Sequence, residues 1–244
     1  QIGSFGAADT IFSPGDFDGD GKRDLLWRRA SDARMFLISG NGAGGWKTGT
    51  SVQIANFVGS DIVFSPGDFD GDSKPDVIWR KAADGTLWLI PGNGAGGWKT
   101  GSVQIGTGWG GMDAIMSPGD FTGDGKADVL ARKSADHNVY LYSGNGAGGF
   151  LSETRRQIGQ GFGTDTLFSG GDFDGDGKVD VLWRQSSSKD VMLVAGDGAG
   201  GWTTGSSVNL TAEYRTGTGD DEYWKVTTTD GTQYFFGRVR LPNW

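Results

Sequence analysis

The chain has 244 residues, of which 46 are glycine and 6 proline; it has no cysteine and a formal charge of -8. So much glycine favours turns over helices, and the lack of cysteine removes any disulfide framework without fixing a redox compartment. An acidic chain with no Lys/Arg-rich run is not expected to bind nucleic acid, and no apolar run is long enough for membrane insertion.

Gln1-Ile2-Gly3 opens the chain, with Phe5 and Asp9 following, and Thr10-Ile11-Phe12-Ser13 reads as a first strand. The strand enters the stretch from Ser13 to Asp24, where glycines let the chain curl around closely spaced carboxylates. Such carboxylates repel one another unless a cation lies between them. Calcium takes six to eight oxygen ligands in a flexible shell, so Asp16, Asp18, Asp20 and Asp24, with the carbonyl of Lys22, form a candidate site. The loop begins like an EF-hand, but Trp27 stands where that motif needs a bidentate glutamate, and both flanks read as strands.

Leu25 to Arg28 reads as the second strand, Ala30 to Ala33 as a turn, and Met35 to Ile38 as the third strand. Gly40-Asn41-Gly42-Ala43-Gly44-Gly45 turns the chain again, and Trp46 to Ile54 supplies a more polar fourth strand suited to a wet rim. The turn fits G-x-G-x-x-G, yet a strand follows where a dinucleotide site requires a helix, so it reads as a hairpin.

The pattern then repeats, with Asp68, Asp120 and Asp172 each 52 residues after the preceding copy. The further loops carry Asp68, Asp70, Asp72, Lys74 and Asp76; Asp120, Thr122, Asp124, Lys126 and Asp128; and Asp172, Asp174, Asp176, Lys178 and Asp180. Thr122 replaces an aspartate, which predicts a weaker third site, and Ser73 stands where the other copies have glycine. The strands recur as Val77 to Arg80, Leu87 to Ile90 and Trp98 to Ile105; Val129 to Arg132, Val139 to Tyr142 and Phe150 to Ile158; and Val181 to Arg184, Val191 to Val194 and Trp202 to Leu210.

One four-stranded meander per 52 residues is the signature of an all-β chain folded as a β-propeller, with blades over about 9–57, 61–108, 113–160 and 165–211. After Leu210 the period breaks. Glu213 to Arg215, Tyr223 to Val226 and Gln233 to Phe236 read as three more strands. With the N-terminal segment 1–5 they would make a fifth, closing blade in a single domain, with Ile2 pairing beside the Gln233 to Phe236 strand. The alternatives are a ring closed by four blades with 212–244 appended, or an arc of a larger propeller.

The loops and the Asp-Leu/Val-x-Trp-Arg strands that follow them resemble the FG-GAP/VCBS repeat family, also seen in integrin α-subunit propellers. The Gly-Asn-Gly-Ala-Gly-Gly-Trp turns are similar to secreted actinobacterial versions often attached to hydrolases, and residues 212–244 are loosely similar to segments of secreted bacterial YD/Rhs-type proteins. The resemblance implies calcium on the loop between the first two strands of each blade, and roles in adhesion, glycan binding or enzyme attachment.

Calcium loops of modest affinity fill where calcium is millimolar, which points to a secreted protein with about one ion per repeat, four in all. Of the 30 acidic residues 15 lie in these loops, so four divalent ions would bring the net charge to about zero. Catalysis has little to build on, since His137 is the only histidine and lies in a polar turn, and most carboxylates are committed to metal. The connectors between blades carry Phe5, Phe57, Trp109 and Phe162 close to Asp9, Asp61, Asp113 and Asp165. They fall at the end where Arg28, Arg80, Arg132 and Arg184 finish their strands.

An aromatic plane beside Arg and Asp suits a sugar, which makes Arg28, Phe57, Arg80, Trp109, Arg132, Phe162 and Arg184 the candidate ligand-binding set. Packing between blades is the competing reading of the same residues. The expected function is a non-enzymatic, lectin-like propeller for a glycan or cell-surface polymer. The alternative is a protein-recognition propeller or the accessory module of a secreted hydrolase.

Overall fold

A computed structural model of the chain describes residues 3–152, 155–210, 212–215, 223–227 and 233–237. Blade 1 comprises β1 (Thr10–Gly15), β2 (Asp24–Arg28), β3 (Arg34–Gly40) and β4 (Trp46–Asn56), and blade 2 comprises β5 (Ile62–Gly67), β6 (Asp76–Arg80), β7 (Leu87–Ile90) and β8 (Val103–Gly106). Blade 3 has β9 (Met112–Gly119), β10 (Asp128–Lys133), β11 (Val139–Tyr142) and β12 (Arg156–Gly159). Blade 4 has β13 (Thr166–Gly171), β14 (Asp180–Arg184), β15 (Val191–Val194) and β16 (Val208–Asn209). Each is an antiparallel meander in chain order. The first strands of consecutive blades lie against one another, β1 with β5, β5 with β9 and β9 with β13. This is the four-bladed propeller arrangement that the period implies.

The cores form between blades. Phe17, Leu26, Met35 and Leu37 of blade 1 pack with Val63 and Val77 of blade 2. Phe64, Phe69, Ile78, Leu87 and Leu89 of blade 2 pack with Ile115, Val129 and Ala131 of blade 3. Phe121, Leu130, Val139 and Leu141 of blade 3 continue the series with Val181 of blade 4. Each sheet therefore buries its apolar side chains by stacking on the next, the usual solution for a repeat that cannot bury a face alone.

Pro14 in β1, Pro66 in β5 and Pro118 in β9 each fall at a register shift, between Phe12 and Gly15, Phe64 and Gly67, and Met116 and Gly119. Proline has no N–H for the ladder, so the strand bulges there and turns into the acidic loop.

The outer strands of blades 2 to 4 are shorter than expected. Trp98, Phe150 and Trp202 make only isolated bridges, to Gly92, Gly144 and Gly196. In blade 2 the chain curls back after Trp98, with Lys99 N–H bonded to the Pro91 carbonyl at 2.8 Å and Gly101 at φ 90, before β8 begins. A three-stranded sheet follows blade 4, of β17 (Ala212–Arg215), β18 (Tyr223–Thr227) and β19 (Gln233–Gly237) in that order. The proposed pairing of Ile2 with its last strand lies outside the described residues. Among those residues no helix is long and apolar enough to cross a membrane.

Candidate metal loops and the joints between blades

Each acidic loop is built around the aspartate that starts the second strand. Asp24 is buried; its Oδ2 accepts the Phe17 and Asp18 amides at 2.8 and 3.0 Å, and its Oδ1 accepts the Gly40 amide at 2.9 Å. Asp76, Asp128 and Asp180 repeat this knot, taking Gly92, Gly144 and Gly196 from their own glycine turns. The turn must come very close: a Cβ on Gly40 would lie 2.0 Å from the Arg23 carbonyl oxygen. Asp16 organises the other half of the loop by accepting the amides of Gly19, Asp20 and Gly21.

In blade 1 these bonds bring Asp16, Asp18 and Asp24 together, each offering a carboxylate oxygen within 4.8 Å of the others. Asp68, Asp70 and Asp76 do the same in blade 2, and Asp172, Asp174 and Asp180 in blade 4. Oxygens coordinated to one calcium ion at 2.3–2.6 Å are separated by at most about 5 Å, so the spacing and the all-oxygen donor set fit a hard cation. Burial raises the Asp76 carboxyl to about 6, with Asp70 adding like-charge repulsion, and burial also raises Asp128. Asp174 is raised by burial and by its neighbours Asp180, Asp176 and Asp172.

Two features of the expected ligand sets differ. Asp20 and Asp72 turn to lysines: Lys47 pairs with Asp20 and stands 3.7 Å from Asp18, while Lys99 lies 3.1 Å from Asp70 and 2.6 Å from Asp72. Asp124 and Asp176 pair with Lys126 and Lys178 within their own loops, at 3.3 and 2.9 Å. Thr122 leaves Asp120 and Asp128 without a third carboxylate, and among the described residues no such trio forms in blade 3. The amides of Lys22, Lys74, Lys126 and Lys178 bond the carboxylates two residues earlier.

Much of the candidate ligand-binding set packs into the joints between blades. Trp109 is 5% exposed and lies against Tyr142 and Phe150, while Phe162 is 7% exposed and packs on Trp183. Phe57 meets Trp79 edge-on. Arg28 is buried and donates to the main-chain oxygens of Val58, Gly59 and Asp61; Arg132 is buried and bonds the Asp113 carboxylate and the Asp165 carbonyl. Arg80 is buried as well, whereas Arg184 is exposed. Trp109 and Arg132 are thus taken up by packing and hydrogen bonds between blades, while Phe57 is half-buried and Phe162 borders a cleft beside Trp183 and Trp202.

A second relationship went unread in the sequence. The Asp9 carboxylate accepts Trp27 Nε1 at 2.8 Å and the Ala30 amide at 2.8 Å; Asp61 does so with Trp79 and Ala82, and Asp165 with Trp183 and Ser186. The constant separation of 18 residues was the available signal. In blade 3 the tryptophan is Ala131, and Asp113 takes Arg132 Nε instead. The glycine turns are hairpins, closed by Asn41 Oδ1 on the Ala43 and Gly45 amides. His137 lies in a tight turn at φ 57, and its amide bonds the Lys133 carbonyl.

Sheets of this order, stacked through first strands and punctuated by acidic loops, define a β-propeller of repeated blades. The sequence matches the FG-GAP-like repeat over residues 16–79, 68–131 and 120–183, and the chain belongs to that family. FG-GAP repeats often bind calcium and are typically recognition modules without catalytic activity. A crystal structure of BBS1N in complex with ARL6DN is similar at 12% identity with a TM-score of 0.44, covering 96% of this chain and 66% of that one. No curated protein matches the sequence.

Proposed function

We propose that the chain is a secreted, non-catalytic recognition propeller, stapled by calcium on its acidic loops, whose partner is a protein. The observation that carries the staple is the recurrence of one three-carboxylate cluster at the same place in blades 1, 2 and 4. Asp16, Asp18 and Asp24 and their counterparts would hold the ion, which supplies positive charge where three carboxylates converge; blade 3 would hold its ion more weakly. Extracellular calcium is the natural source for loops of this kind.

The partner reading rests on what the joints leave available. Arg29 lies over Trp27 and Phe36, Lys81 over Trp79 and Trp88, and Arg155 over Tyr140, all at cation–π distances. Aromatic residues and arginine are among the types enriched in protein interfaces, and the cation holds each half-buried ring in place at the surface. The test is capture on the immobilised chain, in calcium and after chelation. One defined protein bound only in calcium, and lost with Arg29→Glu or Lys81→Glu, supports the reading; absence of any calcium-dependent partner overturns it.

One observation favours glycan as the second reading. A cleft of about 400 Å³ between blades 3 and 4 is lined by Trp183, Trp202, Thr203 and Ser206, combining ring surface with hydroxyls. A glycan array with wild type and Thr203→Val decides it: a sugar bound by the first and lost by the second would move the partner from protein to glycan.

A further inference from the structure

The joints between blades 1 and 2, 2 and 3, and 3 and 4 share one backbone bond. The Gly96 amide of the blade 2 turn donates to the Phe17 carbonyl of the blade 1 loop, Gly148 donates to Phe69 and Gly200 to Phe121, all at 3.0 Å. At the first two joints this point borders a proposed calcium ligand. A Cβ on Gly96 would lie 3.5 Å from Asp18 Cβ, and one on Gly148 would lie 3.4 Å from Asp70 Cβ. At the third joint the surroundings differ: a Cβ on Gly200 would lie 3.1 Å from Thr122 Cγ2 and 2.6 Å from Arg156 Nη2.

Arg156 belongs to β12 of blade 3, where it stands opposite Leu141. From there it crosses to the turn of blade 4, with Nη2 donating to the Ala199 carbonyl at 3.1 Å and to the Gly200 carbonyl. The residues opposite Leu37, Leu89 and Leu193 in the other blades are Val52, Val103 and Val208, and none carries a charge. Blade 3 is therefore the repeat that has a threonine for a loop aspartate and an arginine for a valine on its outer strand. A guanidinium is always charged and presents its donors in a fixed fork, so its grip on the carbonyls of the next blade does not depend on calcium concentration.

We propose that Arg156 takes the place of the calcium staple at the joint of blades 3 and 4, so that withdrawing calcium loosens the first two joints and leaves this one closed. The inference rests on the calcium and partner readings above. Blades 3 and 4 then form a unit that the metal does not control. Arg29 and Lys81 belong to blades 1 and 2, the two that the first calcium-held joint connects. Calcium thereby sets the position of one partner contact relative to the other, which gives partner binding its dependence on the ion.

Amide hydrogen exchange of the full chain, followed by NMR at Gly96, Gly148 and Gly200 in calcium and in chelator, tests this. Chelation is expected to speed exchange about tenfold at Gly96 and Gly148 and to leave Gly200 within about twofold, because exchange reports the local opening of each joint. Arg156→Gln, at an exposed position, should speed Gly200 alone, in calcium as in chelator. In the reverse direction, Asp70→Thr combined with Val103→Arg rebuilds the arginine staple in blade 2 and should keep Gly148 slow in chelator. Gly200 that opens on chelation as readily as the other two overturns the proposal, and so does a folded Arg156→Gln chain in which Gly200 is unchanged. Chelation that moves none of the three amides while Arg156→Gln still opens Gly200 overturns the calcium reading and upholds the arginine staple.

Discussion

Arg28 Nη1 donates to the main-chain oxygen of Asp61 at 2.9 Å, and Asp61 in turn holds Trp79 Nε1 through its carboxylate at 2.9 Å. The strand end of blade 1 is thereby tied to the second strand of blade 2 through one connector residue. Replacing Arg28 by alanine removes a donor from the carbonyls of Val58, Gly59 and Asp61; Val58 keeps the Asp61 amide, and the bond to the Asp61 oxygen is the buried one. The expected loss is about 2 kcal/mol, since a buried orphaned acceptor costs roughly 1–3 kcal/mol. Urea unfolding of wild type and Arg28→Ala measures it, and a shift below about 1 kcal/mol would mean that water satisfies those carbonyls.

Thr122→Asp should restore a carboxylate trio with Asp120 and Asp128. Calorimetric titration is expected to rise from three tight calcium sites in wild type to four, with a higher melting temperature at saturating calcium, as ligand binding to the native state requires. An unchanged stoichiometry would show that residue 122 does not reach the ion.

Lys99 bridges Asp70 and Asp72 in blade 2, where the proposed ion would bind. Both carboxylates raise its pKa, so the bridge is an ammonium at any working pH. Lys99→Ala should strengthen calcium binding at that site by about tenfold, or about 1.4 kcal/mol, because the ion no longer competes with an internal charge. Blade 4 carries Thr203 in the equivalent position and serves as the internal comparison.

In chelator, stability should increase as pH falls from about 6 toward 4. The buried Asp76 carboxyl is raised to about 6 from 3.8, so in this window the native state binds the proton more readily than the unfolded chain. Stability from this group is full below 3.8 and is lost as pH rises through about 6. Asp32, held down to about 2 by Arg29, acts with the opposite sign, below 3.8. Melting curves at stepped pH read the effect, which calcium should abolish by pairing the ionised carboxylate. A chelated protein equally stable across the window would contradict the burial of Asp76.

The repeat, the strand identities and the hairpin nature of the glycine turns were legible because they depend on spacing and local chemistry. Ligand roles were legible only in part. Asp16, Asp18 and Asp24 share a loop and a periodicity that imply convergence, but Asp20 lies within reach of Lys47, which is distant in sequence and not marked by any motif. The connector aromatics kept two readings, packing and ligand binding, because sequence reports that Trp109 is large and recurrent, not which blade covers it. The Asp9–Trp27 pair shows the reverse case, since its fixed separation was present in three copies and became meaningful only once the first strand was seen to run antiparallel to the second.

The knot from Asp24 to Gly40 and the edge-on contact of Phe17 with Trp98 connect a blade only to itself and to its immediate successor. Inserting or deleting one whole unit of 52 residues therefore leaves every surviving seam chemically unchanged. Blade count becomes a variable that recombination can alter without redesigning any interior, whereas an insertion of any other length would misalign a carboxylate with its glycine turn.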